Sequence, residues 1–304
     1  MIDHMQRAPH FLYYIVIIFI TFLLVNSFQK REIKKPKNTS EKYEIQALKL
    51  PNDLNLAGER VPLENDDVRE RMDRELLVNT YWQSNGLLLL KRTNKYFPIL
   101  EPLLKKYGIP DDFKYLAVAE SGLIDETSSA GAAGIWHFMK KTGKEYGLEI
   151  NKNVDERYHI EKSTKVAAEY LKKSKARLGS WTLAAAAYNA GNYGVAKQLK
   201  NQEVSNYYDA LLPDETERYV FRIIALKEVL TNPESYGFKF EKEDLYTLRK
   251  TKKIIVDSTI TNIALFAKKF GINYKELKTH NPWLRENKLN NKSKKIYEIK
   301  IPVE

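Results

Sequence analysis

One glutamate lies on a helix face that is otherwise apolar. Four residues recur at i, i+3, i+4 and i+7, the spacing of a single α-helix face: Phe113, Leu116, Ala117 and Glu120. We expect this face to point inward, and burial raises the pKa of a carboxyl group. A carboxylic acid that stays protonated near neutral pH can donate a proton to a leaving group. Glu120 is therefore a candidate general acid, although an isolated glutamate in such a helix is more often a cap or one half of an ion pair.

Three further motifs follow Glu120-Ser121 along the chain. They are the small-residue segment 129–139 (SAGAAGIWHFM), the segment 187–191 (AYNAG) and the segment 215–220 (ETERYV). A Glu-Ser pair or a Gly-Ala-Ala-Gly stretch is weak evidence alone, but the ordered set at these spacings is specific. Over roughly residues 80–237 it resembles the catalytic domain of soluble lytic transglycosylases, and in particular the membrane-bound lytic murein transglycosylase D family.

That resemblance implies a lysozyme-like helical fold and cleavage of the β-1,4 bond between N-acetylmuramic acid and N-acetylglucosamine in peptidoglycan. It makes Glu120 the single catalytic acid/base. Glu120 first protonates the glycosidic oxygen and then accepts the proton of the muramoyl C6 hydroxyl, which attacks C1 and yields a 1,6-anhydro product. Retaining and inverting glycosidases normally use two carboxylates, whereas the resemblance assigns only one. It calls for no cofactor and no metal.

The resemblance also assigns a set of substrate-binding residues around the acid. Ser121 orients the substrate, Tyr188 helps to position the glutamate, and Asn189 contacts an N-acetyl group or the reacting ring. Two glycines allow backbone to approach a sugar closely, while Trp136 is expected in the core. The whole predicted set is Ser121, Gly131, Gly134, His137, Met139, Tyr188, Asn189 and Tyr219.

His137 departs from the family pattern. The family commonly has glutamine after the tryptophan, and this chain has histidine. An imidazole can still donate a hydrogen bond to a sugar, but its charge changes near pH 6.5. The departure bears on the substrate contact at this position rather than on the reaction.

The periodicity of the chain predicts a mainly α fold. Apolar residues recur at helical spacing through 66–231, and strand patterns are scarce before residue 250. The expected architecture is a lysozyme-like helical catalytic domain followed by a small βααβ module. The predicted boundaries are a signal or anchor at 1–28, a lysine-rich linker at 29–62, the catalytic domain at 63–237, a linker at 238–250 and the module at 251–304.

The C-terminal module resembles a LysM domain. The matching segments are 257–264, 270–277, 281–284 and 299–302, and Asp257-Ser258 stands where the family usually has Gly-Asp. The resemblance implies a second contact with peptidoglycan.

The N-terminal segment predicts export. Residues 11–25 are apolar except for Thr21, which suits a signal sequence, and extension to Phe28 gives a run that could just span a membrane. The positive-inside rule opposes export, because five cations follow the run: Lys30, Arg31, Lys34, Lys35 and Lys37. Since the predicted substrate lies outside the cell, we expect the catalytic domain on the periplasmic side, membrane-associated through this segment. An anchor and a cleaved signal both remain open.

Composition narrows the function classes. The chain has 304 residues, a net charge of +11 and no cysteine, so disulfides, a thiol nucleophile and a lipid-modified cysteine are excluded. A basic chain can bind nucleic acid or anionic lipid, but zinc spacing, a recognition-helix motif and basic–aromatic interleaving are missing, so no nucleic-acid partner is predicted. Two alternatives remain: a lysozyme-type muramidase, and a catalytically silent peptidoglycan-binding envelope protein.

Overall fold

Ten α-helices and two small antiparallel sheets make up residues 45–303, the part of the chain that the computed structural model describes. The predicted signal or anchor and residues 29–44 of the first linker lie outside the described residues. The elements of the helical part are β1 (Asn55–Leu56), β2 (Glu59–Arg60), α1 (Asp66–Tyr81), α2 (Gln83–Lys106), α3 (Phe113–Ser121), α4 (Lys140–Glu145), α5 (Ile160–Leu178), α6 (Trp181–Ala190), α7 (Asn192–Gln202) and α8 (Asp214–Thr231). Those of the C-terminal unit are β3 (Thr251–Val256), α9 (Ile263–Lys268), α10 (Tyr274–His280) and β4 (Tyr297–Pro302). None of the helices between residues 45 and 303 has the length and apolar character that a membrane crossing needs.

The second helix is longer than the sequence predicts. The apolar spacing from Phe97 to Tyr107, followed by Gly108, predicts a helix over those residues alone, whereas α2 begins at Gln83. Pro98 and Pro102 lie inside α2, and a proline removes one backbone donor, so it is typical of a helix end. The apolar contacts of the helix outweigh that loss, since Leu100 and Leu104 are fully buried on either side of Pro102.

The core of the helical part forms around α3, α6 and α8. Helix α8 packs against α1, α3 and α6, so it lies at the centre of the bundle. Four consecutive alanines of α6, residues 184–187, are completely buried. Their small side chains let the neighbouring helices approach closely, which brings the ends of α3, α6 and α8 together.

The short N-terminal hairpin fixes the start of α6. Glu59 on β2 accepts hydrogen bonds from the backbone N–H groups of Trp181 and Thr182, each at 2.7 Å. A carboxylate at this end of a helix satisfies free donors and complements the helix dipole. The hairpin therefore anchors the helix that carries Tyr188 and Asn189.

The C-terminal unit is a βααβ arrangement. Strands β3 and β4 pair antiparallel, with Thr251 opposite Pro302 and Val256 opposite Tyr297. Helix α10 begins with a reciprocal cap between Asn273 and Glu276. The mainly α fold with a small C-terminal sheet confirms the predicted fold class.

The C-terminal unit shares a hydrophobic core with the helical part. Ala133, Val154 and Tyr158 pack in one buried cluster with residues of the unit such as Leu277 and Trp283. Backbone hydrogen bonds cross the boundary, from the N–H of Asp155 to the Trp283 carbonyl at 2.9 Å and from that of Arg285 to the Asn153 carbonyl at 2.8 Å. Ion pairs add to this contact, among them Lys300–Glu161 at 2.6 Å. The unit is thus fastened to the side of the bundle.

Candidate active site

Glu120 lies in the last turn of α3, where the helix ends at Gly122 with a left-handed φ of 58°. The residues that precede it on the same face, among them Phe113 and Leu116, are completely buried. The Glu120 side chain retains 15% of its exposure. The carboxyl group is thus at the edge of the core, where it is largely desolvated and still reachable by a substrate.

A tyrosine from α8 holds this carboxyl group. The Tyr219 hydroxyl donates a hydrogen bond to Oε1 of Glu120, and the Tyr219 ring is buried. Because the hydroxyl has a fixed direction, it orients one oxygen of Glu120 and leaves the other, Oε2, on the open side.

Burial raises the pKa of Glu120 from 4.5 to about 7. The Tyr219 hydrogen bond and the positive charge of Arg222 oppose this shift, and the negative charge of Glu215 adds to it. Near neutral pH the group is therefore present both as an acid and as a carboxylate. That balance is what a residue needs to donate a proton in one step and accept one in the next.

His137 faces the open oxygen of Glu120. Its Nδ1 lies 3.9 Å from Oε2, which is too far for a hydrogen bond. Burial lowers the pKa of His137, so the ring is mainly neutral at pH 7. The residue has a positive φ of 51°, which is uncommon for a residue other than glycine. Met139, two residues on, is 45% exposed.

Ser121 fastens the glutamate helix to the loop that carries His137. Its hydroxyl lies 2.9 Å from the Ile135 carbonyl and 3.2 Å from the Ala117 carbonyl, and its oxygen accepts from the N–H of Leu123. Tyr188 supports the same loop, because its hydroxyl donates to the carbonyl of Trp136 at 2.7 Å. The Trp136 side chain is fully buried and donates to Thr164 at 2.8 Å, so this residue belongs to the core.

Asn189 is exposed at the end of α6. Its Oδ1 accepts a hydrogen bond from the Thr216 hydroxyl at 2.8 Å. That bond fixes which way the amide points, and it leaves the NH₂ group directed away from Thr216. The amide therefore offers two donors at the rim of the site.

Arg157 holds the glycine-rich loop from behind, and the motifs gave no sign of it. Its guanidinium donates to the carbonyls of Gly131 at 2.8 Å and Phe138 at 3.0 Å, and it pairs with Asp155 at 2.7 Å. The residue is buried, as is Asp155. In the sequence, the signal that could have pointed to Arg157 is the nearby Asp155, with which it forms a buried ion pair between two glycine-rich segments.

Gly134 is required by the backbone packing of the loop rather than by a sugar. A Cβ at this position would lie 2.0 Å from the carbonyl oxygen of Arg157, and φ is 75°. At Gly131, by contrast, φ is 88° and a Cβ would meet nothing within 4 Å. A ligand can therefore approach the backbone closely at Gly131. At Gly134 the space beside the backbone is already occupied by the carbonyl group of Arg157.

Gly134→Ala is expected to lower the free energy of unfolding by about 3 kcal/mol, because it combines a backbone clash with a strained φ. Gly131→Ala is the matched control, since it introduces the strain without the clash and should cost about 1 kcal/mol. Urea unfolding of both variants measures the difference. Equal losses in the two variants would contradict the close approach of Arg157.

Two charged residues of α8 also belong to the site. Arg222 lies one turn beyond Tyr219, and Glu215 lies one turn before it, so all three share one face. Arg222 pairs with Glu215 at 3.1 Å and lies 3.8 Å from the buried Glu75 of α1. In the sequence, the signal for Glu215 and Arg222 was their helical spacing of four and three residues from Tyr219. Within residues 45–303, no three metal-ligating side chains come together to form a metal site.

Residues 98–210 match the family described as the transglycosylase SLT domain, and residues 252–304 match the soluble lytic transglycosylase C-terminal LysM-like domain. The chain carries a lytic transglycosylase SLT domain. The SLT match contains Glu120, His137 and the Tyr188-Asn189 pair, whereas Tyr219 lies beyond it.

Two curated relatives come from Escherichia coli. The chain is homologous to "Membrane-bound lytic murein transglycosylase D" of Escherichia coli K12 and of Escherichia coli O6:H1, with 31% identity over 224 residues in each case. The alignment covers 72% of this chain and 48% of each relative. The chain thus spans about half the length of the curated relatives that it matches.

A solved structure shows a more distant likeness. The X-ray structure of an inactive mutant of the lytic transglycosylase Slt from Pseudomonas aeruginosa is 21% identical, with a TM-score of 0.39. The likeness covers 50% of this chain and 26% of that one.

Proposed function

We propose that this chain is a peptidoglycan lytic transglycosylase that forms a 1,6-anhydromuramoyl product. The observation that carries the proposal is Glu120, a buried carboxyl with a pKa of about 7 that is held by Tyr219. The SLT domain and the murein transglycosylase relatives support the substrate class.

In the first step Glu120 acts as the acid. Its proton passes to the glycosidic oxygen, and the bond from that oxygen to C1 of N-acetylmuramic acid breaks. Positive charge develops on the muramoyl ring, and the Glu120 carboxylate that has just formed lies close enough to stabilise it. The Tyr219 hydroxyl is already directed at that carboxylate, so it stabilises the charged form.

In the second step Glu120 acts as the base. It accepts the proton of the muramoyl C6 hydroxyl while O6 bonds to C1, so the anhydro ring closes and Glu120 regains its proton. No water is consumed, and a single carboxyl completes the cycle. A pKa near 7 suits both steps, since neither protonation state is costly to reach.

The surrounding residues position the substrate in this proposal. Asn189 offers its NH₂ group to an N-acetyl carbonyl, and Gly131 offers open backbone to a sugar ring. His137 and Met139 lie on the exposed side of Glu120 and contact the sugar. Ser121 and Tyr188 act through the loop that they hold, so they are positioning residues.

Glu215 favours a second candidate, a lysozyme-type muramidase. Its charge acts on Glu120, and hydrolytic glycosidases use a second carboxylate. The Glu215 side chain, however, is 57% exposed and paired with Arg222. Glu215→Gln separates the two mechanisms: transglycosylation predicts activity within about threefold of the wild type, whereas a catalytic base would cost 10²-fold or more.

The peptidoglycan substrate also bears on the domain boundaries and on the cellular location of the protein. We infer that residues 63–237 form the catalytic domain, that the LysM-like unit at 251–304 adds contacts with the glycan, and that 238–250 is a linker. Of the segment 29–62, which the sequence predicts to be a linker, residues 54–61 belong to the folded helical part instead, since Leu54, Leu56 and Val61 lie in its core. The protein works in the cell envelope on the periplasmic side, associated with the membrane through residues 1–28. The curated relatives, which are named as membrane-bound, support this location.

Tyr219→Phe is expected to shift the alkaline limb of the pH–rate profile to higher pH. The Tyr219 hydrogen bond lowers the pKa of Glu120, so its loss raises that pKa above 7 and the acid form persists to higher pH. Turnover should fall about 10- to 100-fold, because the carboxylate of the first step loses its donor. Tyr236→Phe, which removes a hydroxyl bound to Glu228, should leave the profile unchanged. A limb that moves to lower pH would contradict the assignment.

The product distinguishes the candidate functions. Purified sacculi are digested with the protein, and the soluble fragments are identified by mass spectrometry. Anhydromuramoyl ends support the proposal. Reducing ends would show a muramidase, and the absence of fragments despite binding would show a silent wall-binding protein.

A further inference from the structure

A cavity of about 340 Å³ lies between the helical part and the C-terminal unit. One wall comes from Lys95 and Tyr96 of α2, from Asp125 in the loop after α3, and from the segment around His159. The other wall comes from residues 248–253 and 279–283 together with Lys300. None of the residues proposed for catalysis lines it, so this cavity is separate from the Glu120 site.

Positive charge dominates the lining. Five lining side chains carry a permanent positive charge, and two carry carboxylates: Lys95, Arg249, Lys250, Lys253 and Lys300 against Asp125 and Glu161. Three of the cations have carboxylate partners, namely Lys300 with Glu161, Lys253 with Glu298 and Arg249 with Glu276. Within the described part of the chain, Lys95 and Lys250 form no ion pair. The cavity therefore favours a ligand with negative charge.

Asp125 favours a hydrogen-bond donor or a positive charge on the ligand, in addition to the negative charge that the lysines favour. Its Oδ1 is buried without a hydrogen-bond partner within residues 45–303. Burial raises the pKa of Asp125 to about 6, and the positive charges of Lys95 and Arg285 oppose this shift. A buried acceptor without a donor is unfavourable, and an N–H or ammonium group nearby would relieve the cost. A suitable ligand carries a donor as well as carboxylates.

The floor of the cavity is apolar. Trp283 is buried between two rings, with Tyr297 stacked at 5.6 Å and His159 at 5.8 Å. Tyr96 and Ile99 line the facing side. Such a floor accepts small apolar groups.

We propose that this cavity binds a short peptide that carries carboxylates, an ammonium group and small apolar side chains. Lys95 and Lys250 hold carboxylates, Asp125 receives the ammonium group, and the aromatic floor takes an alanine-sized side chain. This is the chemistry of the peptide stems of peptidoglycan, and in naming that source the inference rests on the proposed function. Because the ligand touches both walls, its binding stabilises the docking of the C-terminal unit.

The test uses a sugar-free synthetic tetrapeptide of N-acetyl-L-alanine, D-glutamate, meso-diaminopimelate and D-alanine, whose single ammonium group is that of diaminopimelate, titrated calorimetrically into the full chain. Saturable binding is expected, and Lys95→Ala and Asp125→Asn should each weaken it about tenfold, the cost of one charge-assisted contact. Lys105→Ala is the matched control, because this exposed lysine lies on the same helix outside the cavity. The peptide acetylated at the diaminopimelate amine should also bind the wild type about tenfold more weakly.

The acetylated peptide keeps the test independent of variant folding. The proposal is overturned if the tetrapeptide does not saturate the wild type at millimolar concentration. It is equally overturned if acetylation and both cavity variants leave the affinity unchanged. Sacculus digestion by the same preparation reports on the Glu120 site alone, so peptide binding without cleavage would count against the enzyme and not against the cavity.

Discussion

Replacement of Glu120 by glutamine is expected to lower turnover by about 10³-fold or more, because one residue supplies both proton transfers. The amide has the shape of the carboxyl group and can still accept the Tyr219 hydrogen bond, so the fold should be kept. Release of soluble fragments from sacculi measures the effect. Glu126→Gln, at an exposed acid six residues further on, is the matched control and should retain full activity.

The same substitution should stabilise the protein at alkaline pH. The pKa of Glu120 is raised from 4.5 to about 7, so the folded state binds this proton more tightly than the unfolded state does. Stability is therefore lost as pH rises from 4.5 to 7, and the full penalty of about 3 kcal/mol applies above 7. Glu120→Gln removes that penalty. It should exceed the wild type in unfolding free energy at pH 8 and match it near pH 4.

Two outcomes would contradict this account of Glu120. One is a variant that retains more than a few per cent of wild-type turnover, which would place the acid elsewhere. The other is a stability difference that stays constant between pH 4 and pH 8, since a constant difference means that the carboxyl group titrates normally.

Glu75→Gln is expected to destabilise the fold by about 1.5–3 kcal/mol, the usual contribution of hydrogen bonds to a charged group, because the arginines that lose their partner stay partly exposed to water. The Glu75 side chain is 1% exposed. It pairs with Arg74 and with Arg218 at 2.9 Å, and it lies 3.8 Å from Arg222. Glutamine fills the same space but leaves these guanidinium groups without their shared anion.

Chemical unfolding of Glu169→Gln provides the control for Glu75. Glu169 forms an i,i+4 pair with Lys165 at 3.8 Å, and both side chains are exposed. Such a surface pair contributes about 0.3–0.5 kcal/mol. If the two variants lost similar stability, the cluster around Glu75 would not hold α1 and α8 together.

The sequence predicted most of what surrounds Glu120. Local patterns were sufficient for helix α3, for α6 between Trp181 and Ala190, and for the two strands of the C-terminal unit, because each element depends on spacing within one segment. The length of α2 was underestimated, because Leu87 to Leu90 were assigned to the helix that begins at Asp66 rather than to the start of α2.

The sequence motifs did not predict contacts between segments that are distant along the chain. Arg157 reaches the carbonyls of the glycine-rich loop, and the space beside Gly134 is filled by the backbone of Arg157 rather than by a sugar. The docking of the C-terminal unit is a second case. Ala133 belongs to the loop that carries His137, yet it packs in the core of that unit. The unit therefore supports the active-site loop as well as any ligand of its own.

The oxygen isotope in the product shows whether Glu120 closes an anhydro ring without using water. Sacculi are digested by the wild type in water enriched in ¹⁸O, with Glu120→Gln as the blank, and the muramoyl ends are analysed by mass spectrometry. We expect 1,6-anhydro ends that contain no ¹⁸O. Reducing ends that carry ¹⁸O at C1 would contradict this expectation, because water would then be the nucleophile.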